Sequence, residues 1–151
     1  MGAEAQLETF IARFTPEIAT LAEAVLAKLR RRLPFAIQLV YDNYNALAIG
    51  FGPTERTTDA VFSIAVYPGR VNLCFLQGGS AGLADPGKWL QGRGRLNRFI
   101  PLTSAATLDE PDVQALIAQA IAATKIPFDE TAPGHLIIKS VSAKQRPRRP
   151  G

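Results

Sequence analysis

Apolar positions recur along the chain with two periods, and the switches between them mark the elements. Leu7, Phe10, Ile11 and Phe14 recur at intervals of three and four, one stripe of a short helix over residues 4–14. Thr15 then offers an N-cap, Pro16 fits the first helical position and Glu17 the first turn, so a second helix begins. Its stripe runs through Ile18, Leu21, Ala22, Val25, Leu26 and Leu29. Arg30, Arg31 and Arg32 stand at its end, where cations complement the helix dipole, and read as a solvated helix terminus.

Pro34 stops this helix, and the period changes to two. Phe35, Ile37, Leu39 and Tyr41 alternate with Ala36, Gln38 and Val40, the pattern of a half-buried strand. Asp42, Asn43 and Asn45 supply turn chemistry, and a second strand follows over 46–51, with Gly50 and Gly52 marking weak or bulged positions. After the polar loop PTERTTD, the runs 60–66 and 71–76 flank Tyr67-Pro68-Gly69-Arg70. Pro68 suits the first central turn position, and Gly69 would accept positive φ at the second. This antiparallel hairpin is the clearest signal in the chain, and it completes a four-strand meander over 35–77.

Residues 78–94 are rich in glycine. Within them Asp85-Pro86-Gly87-Lys88-Trp89-Leu90 predicts an N-capped helical turn ending near Gly92. Trp89 is expected to pack across the sheet edge. Residues 98–103 predict a fifth strand with Pro101 at an edge or bulge. Asp109 or Asp112 is expected to cap a helix whose buried face holds Val113, Leu116, Ile117, Ala120 and Ile121, and Pro127 to end it. Pro133-Gly134 makes a turn before a last strand over 135–141, with His135 at its start. The fold class expected is α+β: a mainly antiparallel sheet of five to six strands, with N-terminal helices and a C-terminal helix packed on one face. One domain is expected over 1–141, followed by a basic flexible tail over 142–151, where SAKQRPRRPG cannot bury apolar surface.

Charge refines this picture. The chain carries +4, but four of its 17 basic residues fall within 140–151, where there is no acid, and the rest holds 13 of each sign. An acidic partner therefore points first to the tail, where Lys144, Arg146, Arg148 and Arg149 would meet nucleic-acid phosphates in a weak, salt-dependent manner. No aromatic residue is interleaved with them to stack on bases. The acidic N-terminus without a long apolar run shows no secretory signal or membrane span, so the cytoplasm is the expected compartment and no membrane partner is expected.

One histidine and one cysteine, His135 and Cys74, fall on different predicted strands, which argues against a zinc or iron site built on such ligands. Cys74 reads as a small buried hydrophobe. Serine-nucleophile and phosphate-loop motifs are missing, so no catalytic constellation, metal or cofactor is expected. The irregular segments with binding-competent groups are residues 78–94 and 41–45, which nominate Tyr41, Asn43, Tyr44, Lys88, Trp89, Arg93 and Arg95 as contacts for a protein or a small anionic ligand. In Gly92-Arg93-Gly94-Arg95, backbone N–H groups and two guanidiniums would cradle an anion. The expected role is a non-catalytic binding or adaptor domain.

The segments LVYDNYNALAIGFGPTERTTDAVFSIAVYPGRVNLCFLQG, DPGKWLQGRGRLNRFIPL and IIKSVSAKQRPRRP resemble the YdhG-like bacterial family, whose function is not established. The similarity spans about residues 34–150, with the hairpin, the Asp85-Pro86 loop and the basic tail in order. It implies a compact α/β domain with an antiparallel sheet, and no catalytic residues to carry over. Some relatives are described as frataxin-like iron chaperones, which would imply an acidic, oxygen-rich surface. Here Glu4, Glu8, Glu17 and Glu23 in the first helices face Arg13, Lys28 and three further arginines, which disfavours iron delivery.

Overall fold

A computed structural model describes residues 2–150; Met1 and Gly151, the outer ends of the expected domain and tail, lie outside the described residues. Helices α1 (Ala3–Ala12) and α2 (Pro16–Arg32) precede the strands β1 (Ile37–Asp42), β2 (Leu47–Gly52), β3 (Phe62–Tyr67), β4 (Arg70–Phe75) and β5 (Arg98–Leu102). Helix α3 (Pro111–Ala123) and strand β6 (Leu136–Val141) complete an α+β fold. The strands form one sheet in the order β5-β4-β3-β2-β1-β6. Five of them are an antiparallel meander, and β6 joins in parallel beside β1. None of the described helices is long and apolar enough to cross a membrane.

Cross-strand partners share a face of the sheet, so the register identifies what each face carries. Ile49, Ile64, Leu73 and Ile100 form one row, and Leu47, Val66, Val71 and Leu102 another. Both rows are buried in the core with Leu7, Phe10, Ile11, Val25, Leu29, Val113 and Leu116 from the three helices. The opposite face is lined mainly by small groups: Ala48, Ala65 and Asn72 are neighbours across three strands, as are Gly50, Ser63 and Cys74. On its β1 side, residues 53–60 lie across this face. The Tyr41 hydroxyl bonds Thr57, Glu55 meets His135, and the Lys139 ammonium donates to the Glu55 carbonyl.

Four local expectations are corrected. In β1 it is Gln38, Val40 and Asp42 that align with the core rows, through their partners Phe51, Ile49 and Leu47, while Ile37, Leu39 and Tyr41 take the other face. Leu39 is nonetheless fully buried, so both faces of this strand are covered and alternation alone is misleading. Gly69 is not among the residues with positive φ, so the Pro68-Gly69 turn does not use the conformation for which glycine is needed. The segment after Asp85 is a turn and not a helix: the Asp85 carboxylate accepts from the backbone N–H groups of Trp89 and Leu90, and Lys88 takes φ of 53°. Finally, α3 is N-capped by Glu110 without a side-chain bond, and Pro111 occupies its first turn, so neither Asp109 nor Asp112 caps it. Asp109 instead pairs with Lys28 of α2.

Candidate functional site

The tail expected to be flexible is built into the fold, and this packing creates the most chemically distinctive surface of the molecule. As β6 ends, the Ser142 N–H donates to the Asp42 carbonyl, and the chain turns back across the β1–β2 turn. The Gln145 side chain donates to the same carbonyl, and the Arg146 N–H to that of Tyr44. Arg148 is 5% exposed, with its guanidinium 2.8 Å from an Asp42 oxygen and 2.6 Å from the Asn43 carbonyl, over the ring of Phe14. Arg13, just past α1, reaches the other Asp42 oxygen at 3.2 Å. Arg149 donates to the carbonyls of Ala12, Arg13 and Phe14, where α1 ends. Such orphan carbonyls at a helix C-terminus favour a cation. Composition pointed to disorder because it counts apolar surface, whereas these residues are held by charge-assisted hydrogen bonds.

Folding the tail this way divides its four cations. Arg148 is withdrawn from solvent, and Arg149, though exposed, commits its Nε and one terminal nitrogen to carbonyls. Lys144 and Arg146 remain exposed. The Arg146 guanidinium lies over the ring of Tyr44, 5.7 Å from its centroid. Facing it across a cleft is the tip of the β3–β4 hairpin. There Tyr67 and Arg70 are direct cross-strand partners, and the guanidinium sits 4.2 Å from the tyrosine centroid. Asn45, Tyr67, Pro68, Gly69, Arg70 and Arg146 line this cleft, whose volume is about 570 Å³. That falls in the range of small-molecule sites.

Neither Arg70 nor Arg146 forms a salt bridge with a carboxylate among the described residues. Each guanidinium lies over a tyrosine ring. Guanidinium forks match the oxygens of a phosphate or carboxylate. The asparagine amide adds a donor and an acceptor at the same mouth.

The other nominated residues are dispersed. The register sets residues 41–45 at one end of the sheet and the start of 78–94 at the other, with β2 and β3 between, so they do not form one contact surface. Tyr41 is engaged with Thr57 on the small-residue face. Lys88 and Trp89 line a separate cleft of about 330 Å³ against Ile100 and Pro101 at the β5 edge. Trp89 packs there on the core, as expected. Arg93 and Arg95 are exposed in the loop before β5. Asn43 contributes its carbonyl to Arg148. Asn45 falls within the nominated 41–45 turn; sequence reasoning missed Tyr67 and Arg70, and the signal was the Tyr-Pro-Gly-Arg tip, whose ends face each other once the hairpin forms.

Cys74 is buried beside Ser63, and desolvation pushes its thiol pKa up to about 11, so at neutral pH it is a protonated, poorly nucleophilic group. Among the described residues no three of His, Cys, Asp and Glu are grouped to hold a metal ion. In comparisons with known proteins, the chain matches no family model, no curated protein and no solved structure.

Proposed function

We propose that this protein is a non-catalytic binding domain for phosphate-bearing ligands, with the cleft between the hairpin tip and the C-terminal strap as its site. The observation that carries the reading is the pair Arg70 and Arg146, two guanidiniums without carboxylate partners among the described residues, each seated on a tyrosine at the mouth of one cleft. Elsewhere among the described residues, Arg13 and Arg148 pair with Asp42, and Arg30 with Glu4. The resemblance to YdhG-like proteins brings no catalytic residues to this chain, so the reading rests on the cleft.

Calorimetric titration with pyrophosphate tests the site. Saturable binding by the full chain that is lost when Arg70→Ala and Arg146→Ala are combined is the expected result. Unchanged binding by that double variant would place the ligand elsewhere, and no binding by the parent protein would remove the reading. Both side chains are exposed and outside the core, so the variants keep the fold.

A further inference from the structure

Resting on the cleft just described, we infer that its ligand is a single-stranded nucleic acid, gripped at two phosphates by Arg70 and Arg146 with a base stacked beside Tyr44. Three observations narrow the ligand from an anion in general to this class. The first is that aromatic groups accompany the cations. The tail has no aromatic residue of its own, but folding places the Tyr44 ring, 49% exposed, under Arg146 and sets Tyr67 under Arg70. Tyrosine rings and guanidinium planes are the platforms on which unpaired bases stack, and every base offers them a face.

The second observation is that the cations come from separate elements. Arg70 stands on the hairpin and Arg146 on the strap, on different sides of the cleft, with Lys144 exposed two residues before Arg146. A single small anion would be held best by converging donors, whereas separated forks suit successive phosphates along a strand. The third is that Asn45 lines the same cleft. Its amide presents a donor and an acceptor together, the combination that pairs with a base edge, and an isolated phosphate has no use for the donor–acceptor pair. In a duplex the bases are stacked on one another and closed to these rings, so the single strand is the form selected.

Fluorescence anisotropy with labelled ten-nucleotide RNA and DNA single strands, the corresponding duplex and a phosphoserine peptide, each across a salt series, tests this. The full chain should bind single strands more tightly than the duplex, the peptide or pyrophosphate. Tyr44→Ala should weaken single-strand binding about tenfold, the loss expected for one stacked base, and pyrophosphate binding, which loses only the seat of Arg146, by a smaller factor; Tyr44→Phe should restore both. Combining Arg70→Ala with Arg146→Ala should reduce the slope of log affinity against log salt by about 1.4, the value for two phosphates on a single strand.

Pyrophosphate binding that depends on the two arginines, together with single strands bound no more tightly than pyrophosphate, would overturn this inference and leave the anion site standing. Tighter binding of the phosphopeptide would overturn it in favour of a protein partner, and equal or tighter duplex binding would reduce it to backbone electrostatics. If neither pyrophosphate nor oligonucleotide binds, the cleft reading itself falls.

Discussion

Asp42 occupies a row of the sheet whose other members, Val141, Leu47, Val66, Val71 and Leu102, are all aliphatic. It is 1% exposed, and an ionised carboxylate there is tolerable only because Arg148 and Arg13 approach its two oxygens. Arg13 is partly solvated, so Arg148, itself buried, is the stronger partner. Removing one member of a buried pair leaves an uncompensated charge, which costs about 3–5 kcal/mol. Arg148→Ala is therefore expected to lower stability by about 3 kcal/mol in urea denaturation, and adding Asp42→Asn should recover most of that loss. The second residue with a measurable signature is Cys74. Its thiol pKa is raised by burial from 9.0 to about 11, so the folded state holds the proton more tightly than the unfolded chain. The stability it contributes is fully present below about pH 9 and is lost as pH rises through the folded value. Cys74→Ala should flatten the alkaline arm of the stability profile between those limits, and the native thiol should resist iodoacetamide at pH 8.

The C-terminal strap shows how an element can form without regular secondary structure or an apolar stripe. Its anchors are side-chain donors placed on backbone carbonyls: Arg149 where α1 ends, Gln145 and Arg148 on the β1–β2 turn. The strand that delivers it is positioned by a close backbone approach. A Cβ at Gly134 would meet the Ala36 carbonyl and come within 2.7 Å of that of Pro34, so glycine lets the chain pass there and enter β6 beside β1. A chain ending at Val141 loses the strap and leaves Asp42 with Arg13 alone. Thermal unfolding of that truncation should fall by roughly 10 °C, from a loss of about 3 kcal/mol at 2–4 °C per kcal/mol. An unchanged midpoint would mean that the strap adds nothing to the fold. The β3–β4 hairpin is the opposite case, an element specified locally by two β-rich runs and a Pro-Gly turn, and legible at once.

Across the whole molecule, local signals specified the helices, the meander and the α+β class. The apolar stripes of α1, α2 and α3 and the punctuation at Pro16, Pro34 and Pro68 act over a few residues, so they survive in the sequence. The parallel placement of β6, the burial of both faces of β1 and the docking of the tail were not legible, because each depends on contacts between segments far apart in the chain. Charge illustrates this directly. Composition assigned four free cations to the tail, but tertiary structure spends Arg148 on Asp42, 106 residues away, and Arg149 on the end of α1. It leaves Lys144 and Arg146 exposed and brings to Arg146 the tip of a hairpin that carries Arg70. The candidate site therefore exists only in the folded chain: Asn45, Tyr67, Arg70 and Arg146 come from three separate segments and carry no shared motif. By itself the sequence determined which stretches become helix or strand, since those choices follow from side-chain period and backbone preference within a turn or two. Only the tertiary structure decided which arginines are partners for buried acids and which lie over tyrosine rings, since that depends on which distant groups the sheet brings within hydrogen-bonding distance.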